Sequence, residues 1–370
     1  MKKLFLVFMI FAIAFGTAFA GGSKATSSEN DLPTVRLITD ATGIDDKSFN
    51  AAAWRGILEF YGDTWDNQKG RGTLYDVVTC QTQDLYVPNL KQVADRGYDL
   101  IITTGFTFAN AIGEVAEAYP EQNFMIVDVD WVNKSNLQEY IYREEEGSFL
   151  VGVLAALQAQ ADGVSNPKFG FIGGVPGATI TKFEVGYIQG IKHIMPNLSD
   201  SAIVDYYVND WGAPDRAKAQ AKNWYDSGVY VIYSAAGGSG NGTIAQAKEY
   251  RLQGQNVWAI GVDSDQHEEG VYSGTKSAVL TSMVKRVETS VIMALTDVEN
   301  GTFNGGVISL NMAADGVGYT AVNEEISSSV IAQVEAVKAD IIDGKITIYP
   351  TYAEALAAGA VPAGLGAKDD

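Results

Sequence analysis

Cysteine and histidine are nearly absent from this chain of 370 residues, which contains one cysteine, Cys80, and two histidines, His193 and His267. A single cysteine cannot form a disulfide within the chain, and its position after a strand-like run is typical of a small buried apolar residue. The histidines are far apart and belong to no cluster with metal-ligand spacing. We therefore expect no metal site, and we find no nucleophile–histidine pair that would indicate an enzyme.

Basic residues and long apolar runs are also scarce. The chain has 26 basic and 45 acidic residues and a net charge of −19, which argues against nucleic acid or an anionic membrane as a partner. Beyond residue 20 no stretch approaches the roughly 18 apolar residues of a transmembrane helix. The mature chain is expected to be a soluble monomer.

The first twenty residues have the pattern of a cleaved secretory signal. Lys2 and Lys3 precede the apolar run 4–15, and Ala18-Phe19-Ala20 has the small residues of a cleavage site. We predict a signal peptide over 1–20 and a flexible lead-in over 21–32.

Strand-like and helix-like segments alternate along the rest of the chain, and the series begins again near residue 147. Such βα units predict an α/β fold with two doubly wound parallel-sheet lobes. The main predicted strands cover 35–39, 75–79, 99–103, 123–127, 140–142, 168–172, 203–208, 229–233 and 257–262.

The remaining segments are too few for a third domain, so we expect them to return across both lobes as a hinge. The predicted N-terminal lobe comprises 33–142 plus 263–300, and the C-terminal lobe comprises 143–262 plus 301–350. The Ala- and Gly-rich tail 351–370 is expected to fray.

Open parallel sheets bind ligands at the carboxyl ends of their strands, and two such edges would face each other across a cleft. The glycine turn 237–240 lacks the Lys-Ser/Thr ending of a phosphate-binding loop and the G-x-G-x-x-G dinucleotide spacing, so no cofactor is predicted. The residues that follow predicted strands, and therefore form the candidate ligand site, are Asp40, Phe49, Asn50, Gly105, Phe106, Asp128, Phe183, Trp211, Gly237, Asp263 and Lys285.

These candidates combine carboxylates with aromatic rings. Carboxylates accept hydrogen bonds from vicinal sugar hydroxyls, and rings stack on a flat base. A nucleoside would use both features, but a free sugar would as well, so composition leaves this choice open. Phe49 fits the core face of its helix as well as it fits the cleft.

Several stretches resemble the basic membrane protein family, the purine-nucleoside-receptor-like (PnrA-like) binding proteins of ABC importers. They occur in order over about residues 33–350, and together they are specific. The resemblance implies a type I periplasmic-binding-protein fold with three crossovers between the lobes. The stretches are Asp40 with 43–50, 146–152, 171–174 with 182–187, 236–242, 260–266 and 281–286.

The resemblance also implies roles for the candidate residues. Asp263 and Lys285 are similar in position to the partners of ribose hydroxyls, with Gly237 lending its backbone. Asn50 and Asp128 are implied as hydrogen-bonding partners of the base edge. Phe49 and a second-lobe aromatic, Trp211 in preference to Phe183, are implied to sandwich the base, and Asp40 lines the same cleft.

One departure from the family concerns anchoring. Members are usually acylated on a cysteine directly after the signal peptide, whereas Gly21 stands there in this chain. We therefore expect no lipid anchor and a periplasmic location, with an inner-membrane ABC permease as the partner.

The expected ligand is a purine nucleoside such as inosine, guanosine or adenosine. The alternative is a sugar, a flavin or a signalling molecule bound by the same fold. A nucleoside hydrolase is disfavoured because the sequence lacks a nucleophile–histidine pair, a metal cluster and a cofactor fingerprint.

Overall fold

The computed structural model describes residues 32–370, so the predicted signal peptide and nearly all of the predicted lead-in lie outside the described residues. The first part of the chain alternates strands with helices. These elements are β1 (Val35–Thr39), α1 (Phe49–Phe60), β2 (Tyr75–Thr79), α2 (Tyr86–Ala94), β3 (Leu100–Thr104), α3 (Ala109–Ala118), β4 (Phe124–Val127) and β5 (Leu137–Tyr142).

The alternation then repeats and ends in a mixed region. The elements are α4 (Glu144–Ala161), β6 (Lys168–Gly173), α5 (Ala178–Ile194), β7 (Ile203–Tyr207), α6 (Pro214–Asp226), β8 (Val229–Ala235), α7 (Asn241–Leu252), β9 (Trp258–Asp263), β10 (Val271–Ser273), β11 (Lys276–Ser277), β12 (Val279–Lys285), α8 (Val287–Glu299), β13 (Gly306–Leu310), β14 (Val317–Tyr319), α9 (Ser328–Ile342) and α10 (Tyr352–Ala357).

The strands form two six-stranded sheets with matching internal orders. The first sheet runs β13-β5-β4-β3-β1-β2 and the second runs β14-β12-β9-β8-β6-β7, while β10 and β11 pair separately. Neighbouring strands within the two large sheets are parallel, except that β14 runs antiparallel to β12. Each strand of one lobe thus has a counterpart in the other, and the predicted fold class is confirmed.

Helices cover both faces of each sheet, so consecutive residues of a strand enter different apolar clusters. In β3, Leu100 and Ile102 pack in the cluster that contains α1, whereas Ile101 packs with Leu90 of α2 and Ile112 of α3. Strands buried on both faces need apolar residues at successive positions, which is why these strands appear in the sequence as continuous apolar runs.

Three crossovers connect the lobes, as the family resemblance implied. After β5 the chain enters α4, which packs on α5 and α9 of the second lobe. After β12 it enters α8, which packs on α1 of the first lobe. The third crossover joins β13 of the first sheet to β14 of the second.

The predicted lobe boundaries need two corrections. The sequence prediction places residues 263–300 in the N-terminal lobe, but β12 belongs to the second sheet, where it pairs with β9. It places residues 301–350 in the C-terminal lobe, but β13 pairs with β5 in the first sheet. Local patterns identify strands, whereas the sheet that a strand joins is decided by pairing with residues distant in sequence.

The tail also differs from its prediction. Residues 351–370 contain α10, and Ala355, Val361 and Ala367 are buried against the second lobe. An Ala- and Gly-rich composition gives little sign of order, because these small residues become fixed only when they dock on a neighbouring surface.

Cys80 is buried, as predicted, and Asn89 donates a hydrogen bond to its sulfur at 3.1 Å.

Among the helices within residues 32–370, none has the length and apolar character that crossing a bilayer requires.

Candidate functional site

One cleft between the two sheets brings together all eleven residues proposed from the sequence. It encloses about 600 Å³ of space between atoms, including the solvent at its mouth. The candidates that line it are Asp40, Phe49, Asn50, Gly105, Phe106, Asp128, Phe183, Trp211, Gly237, Asp263 and Lys285.

Two carboxylates occupy matching positions at the ends of corresponding strands. Asp128 follows β4 in the first lobe, and Asp263 ends β9 in the second. Both have left-handed backbones, with φ of 69° and 62°. A positive φ is uncommon for residues other than glycine, so each turn is held by its surroundings in a conformation that places a carboxylate in the cleft.

Asp263 is deeply buried and has a perturbed acidity. Burial raises the pKa of its carboxyl group to about 7, although Lys285 and a hydrogen bond from Ser48 favour the charged form. The Ser48 hydroxyl lies 2.7 Å from one carboxylate oxygen. Asp263 therefore titrates near neutral pH, where a ligand that donates hydrogen bonds would bind the ionised form more tightly.

Lys285 is the cation at the centre of the cleft. Its ammonium group pairs with Asp128 and lies 2.9 Å from Glu144. Burial opposes its charge, but these carboxylates, Asp128 first, raise the pKa of Lys285 above its ordinary value. An ammonium has three N–H donors, so one remains for a ligand after two are given to the carboxylates.

Three aromatic rings surround the same ammonium. The distances from the Lys285 nitrogen to the ring centres are 5.0 Å for Phe49, 5.1 Å for Tyr142 and 5.5 Å for Phe183. A cation within about 6 Å of a ring centre is attracted by the negative ring face. The sequence left open whether Phe49 faces the core or the cleft. In the structure its side chain does both, because it lines the cleft and also packs against the core.

Glu144 is a member of this charge cluster that the sequence reasoning missed. It is almost completely buried at the first crossover, 2.9 Å from Lys285 and 3.2 Å from Lys182. Burial would raise its pKa, but Lys182 and Lys285 lower it below the ordinary value. In the sequence, the three consecutive acidic residues Glu144–Glu146 are typical of a helix N-terminus and give no sign of a ligand site. The one feature that could have indicated its role is its position at a crossover between the lobes, close to the strand that ends at Lys285.

The side chain of Asn50 is held in place by hydrogen bonds to other residues of the first lobe. Its amide nitrogen donates to Asp40 at 3.1 Å and to Thr42 at 2.9 Å, and its oxygen accepts from Thr104 at 2.5 Å. These bonds use both donors of the amide and one of its acceptor positions. Asn50 therefore fixes the first-lobe wall and can offer a ligand only its remaining acceptor position, or a bond exchanged with a neighbour.

The start of α1 depends on the buried side chain of Asp46. Its carboxylate accepts hydrogen bonds from the backbone N–H groups of Ser48, Asn50 and Ala51 at 2.8–3.0 Å. Satisfying the free donors of the first turn fixes the backbone there, which sets the positions of Phe49 and Asn50 in the cleft.

Both second-lobe aromatics proposed as base partners lie in the cleft, so the geometry does not choose between them. Trp211 packs so closely on Gly174 that a Cβ atom there would lie 2.1 Å from its ring. Its ring centre lies 6.2 Å from that of Phe106 in the first lobe, at an interplanar angle of 72°. Phe183 lies on the Lys285 side. The further lining residues that the sequence did not single out are Thr42, Asp46, Thr104, Thr107, Ile180, Ala235 and Val262.

The lobes also contact each other directly beside the cleft. Arg55 of the first lobe donates to the Ser264 hydroxyl at 2.7 Å, and that hydroxyl donates to the Ser48 carbonyl at 2.9 Å. Asn241 donates to the carbonyl of Asp46 at 3.0 Å. This is a closed arrangement, because residues of both lobes meet through direct hydrogen bonds.

The chemistry of the cleft suits a flat, polar and largely uncharged ligand, for which it offers ring faces, carboxylate acceptors and one ammonium donor. Among residues 32–370 no cluster of His, Cys, Asp and Glu has the geometry of a metal site.

Comparisons with known proteins agree with this description. Residues 34–351 match the family described as ABC transporter substrate-binding protein PnrA-like. A CD4+ T-cell-stimulating antigen of Listeria innocua is 37% identical over 94% of this chain and 98% of its own length. The ABC transporter nucleoside-binding protein BmpA of Lactococcus lactis subsp. cremoris is 32% identical over 94% of this chain and 99% of its own.

Solved structures agree as well. An ABC transporter solute-binding protein of Aeropyrum pernix K1 superimposes with a TM-score of 0.74 at 25% identity, covering 89% of this chain and 98% of that one. The resemblance noted in the sequence motifs is thereby confirmed. This chain belongs to the PnrA-like family of ABC transporter substrate-binding proteins.

Proposed function

We propose that this protein captures a purine nucleoside in the cleft between its lobes and delivers it to an ABC importer. The observation that carries the proposal is the pairing of ring faces with a buried carboxylate–ammonium cluster in one cavity. A nucleoside has a flat base and a ribose with vicinal hydroxyls, which match these two halves. The relative from Lactococcus lactis, named a nucleoside-binding protein, supports the same ligand class.

In this proposal the ribose end lies against Asp263 and Lys285. The carboxylate of Asp263 accepts from ribose hydroxyls, the remaining N–H of Lys285 donates to a ribose oxygen, and the backbone of Gly237 contributes a polar group. Gly237 has a φ of 53°, so its left-handed turn favours a residue without a side chain.

The base end lies between Phe49 and a second-lobe aromatic, Trp211 in preference to Phe183. Stacking on an aromatic ring contributes about 1–3 kcal/mol per base. Asp128 and Asn50 face the base edge. Asp40, whose carboxylate is oriented by a hydrogen bond from Asn50, lines the same part of the cleft. No step of bond making or breaking is involved, because members of this family are substrate-binding proteins rather than enzymes.

Binding and release follow from the hinge. A ligand that contacts both lobes at once stabilises the closed arrangement over an open one, in proportion to its difference in affinity for the two. We further propose that the chain is exported through its signal sequence and acts as an extracytoplasmic monomer, with a membrane permease as its partner.

A thermal-shift screen of residues 21–370 tests the ligand class, after unfolding and refolding to remove carried-over ligand. The panel contains purine and pyrimidine nucleosides, free bases, ribose, other sugars and flavins. A ligand at 100 times its dissociation constant adds about 2.7 kcal/mol of stability, which shifts the transition measurably. We expect a shift with purine nucleosides. A shift confined to sugars or flavins would replace the ligand while leaving the family unchanged.

A further inference from the structure

Residues 352–370, which we name the C-terminal strap, follow the part of the chain that matches the family. The strap folds back on itself, because the carboxylate of Asp369 accepts from the backbone N–H groups of Tyr352 at 2.6 Å and Ala353 at 2.9 Å. Its two ends are thus joined at the start of α10. This local closure makes the strap a compact unit rather than a loose end.

The strap is bonded to the first turn of α5. The hydroxyl of Thr181 donates to the carbonyl of Lys368 at 2.6 Å and accepts from the N–H of the same residue at 2.8 Å. Thr181 is completely buried. Its neighbours Ile180 and Phe183 both line the ligand cleft. The bonded threonine therefore lies within the stretch of helix that forms part of the second-lobe wall.

A second attachment joins the strap to β7. The N–H of Gly366 donates to the carboxylate of Asp205 at 2.6 Å. Gly366 lies so close to Tyr207 that a Cβ atom would approach its ring to 2.8 Å. The hydroxyl of Tyr207 in turn donates to Glu184 of α5 at 2.5 Å. The chain then continues from β7 to Trp211, so the strap supports both elements that carry the second-lobe rings.

We propose that the C-terminal strap is a positioning element of the ligand site, with Thr181 as its principal contact. It fixes the first turn of α5 and the end of β7, and so keeps Phe183 and Trp211 at the spacing that a flat ligand requires. The proposal rests on the proposed function in that it takes the cleft as the ligand site. An unfixed wall must be ordered when the ligand binds, which weakens affinity mainly through faster dissociation.

The first test compares the full mature chain with a variant that lacks residues 352–370, using ligand-binding kinetics and amide hydrogen exchange. With a purine nucleoside as the probe, we expect affinity to fall about tenfold and the change to lie mostly in the dissociation rate. Without ligand, the amides of residues 178–184 should exchange faster. Unchanged exchange there together with unchanged affinity would overturn the proposal.

Point variants at Thr181 keep the test valid if the shortened chain does not fold. Thr181→Val preserves the shape but leaves the N–H and carbonyl of Lys368 without their partner, whereas Thr181→Ser keeps the hydroxyl. We expect valine to speed both dissociation and exchange and serine to restore wild-type behaviour. Equal effects of valine and serine would contradict a role for the hydroxyl bonds.

Ala247→Gly in α7 is the matched control, because it weakens the same lobe away from the strap. It should lower stability without changing amide exchange at 178–184. If Ala247→Gly lost as much nucleoside affinity as the strap variants, general loosening of the lobe would explain the effect. The exchange measurement needs no ligand. Failure of nucleosides to bind the wild-type chain would therefore refute the proposed function, while the exchange result would still decide for or against the strap.

Discussion

At the scale of single residues, the cleft depends on a few buried charged side chains. The ammonium group of Lys285 pairs with the carboxylates of Asp128 and Glu144, and the carboxyl group of Asp263 accepts a hydrogen bond from Ser48. Because these groups are removed from water, the loss of one charge leaves its partner uncompensated. Changes of pH and of single side chains should therefore have measurable effects on binding and stability.

The first prediction concerns Asp263 and pH. With a pKa of about 7, its carboxyl group is largely protonated at pH 6 and ionised at pH 8. Ribose hydroxyls donate to the ionised form, so affinity should rise roughly tenfold over this interval, and titration calorimetry with adenosine measures it. Asp263→Asn should remove the pH dependence. A wild-type affinity that is flat across the interval would contradict the role of Asp263.

The raised pKa of Asp263 also makes the stability of the ligand-free protein depend on pH, in the direction opposite to ligand affinity. The pKa of this carboxyl group is about 7 in the folded state and near 4 in an unfolded chain, so between these values only the folded state retains the proton. The free energy of unfolding should therefore fall as pH rises from about 4 through 7. Denaturant titrations of wild type and Asp263→Asn isolate this contribution, and a slope shared by both would assign it to other groups.

The second prediction concerns Glu144. Glu144→Gln removes a buried negative charge that lies near both Lys182 and Lys285, leaving the buried Lys285 and the partly buried Lys182 with less compensation. Removing one partner of a buried ion pair destabilises proteins by about 3–5 kcal/mol, and urea unfolding should show a loss of this order.

Glu117→Gln is the control for that variant. It breaks a surface pair with Lys134 at 2.7 Å, and we expect no measurable change. Equal stability of the Glu144 and Glu117 variants would show that the buried cluster does not depend on Glu144.

The sequence predicted which side chains line the cleft better than it predicted their partners. All eleven candidates end a strand or lie in the segment after one, and they line one cavity because parallel sheets place the carboxyl ends of their strands at one edge. Their individual roles in binding stay predictions. The bonds that occupy Asn50 and the pairing of Glu144 with Lys285 could not be predicted, since both join residues distant in sequence.

At the scale of elements, the main strands were predicted well because each carries its own apolar run. The largest difference lies in β5, which begins at Leu137 rather than at 140. Gln138 and Glu139 are buried polar residues, and they interrupt the apolar pattern on which the prediction relied. Gln138 donates to Asp297 of α8 at 2.9 Å, and Glu139 accepts from the backbone N–H groups of residues 132 and 133 at 2.8 Å. These partners, which allow polar side chains to be buried in a strand, are not visible in the local sequence.

The third prediction concerns the contact between α4 and α5, where backbones meet through glycine. A Cβ atom on Gly152 would lie 2.1 Å from the carbonyl oxygen of Tyr187. Gly152→Ala should therefore push the helices apart and destabilise the protein by about 1–3 kcal/mol, despite the better helix propensity of alanine.

Gly113→Ala in α3 provides the comparison, because its Cβ would meet only a methyl group of Val132 at 3.1 Å. This second variant should be close to neutral in thermal unfolding. A Gly152 variant as stable as the Gly113 variant would contradict close backbone packing as the reason for glycine at that position.

At the scale of the whole molecule, the alternation of strands and helices predicted the fold class, and the motif resemblance predicted the three crossovers. Neither assigned β12 and β13 to the correct lobes. The true position of β12 has a physical consequence, because Lys285 ends this second-lobe strand yet pairs with Asp128 of the first lobe. The charge cluster therefore lies at the junction about which the lobes would move, and closure and ligand binding share the same residues.

The central claim, that the cleft recognises base and ribose together, is tested most directly by titration calorimetry of refolded residues 21–370 with a purine nucleoside, the matching free base and ribose. We predict a dissociation constant for the nucleoside that is at least about a hundredfold below that of either part, since each part leaves one half of the cleft unfilled. We also predict a negative heat-capacity change from apolar burial. Ribose or the free base binding as tightly as the nucleoside would contradict the two-part cleft.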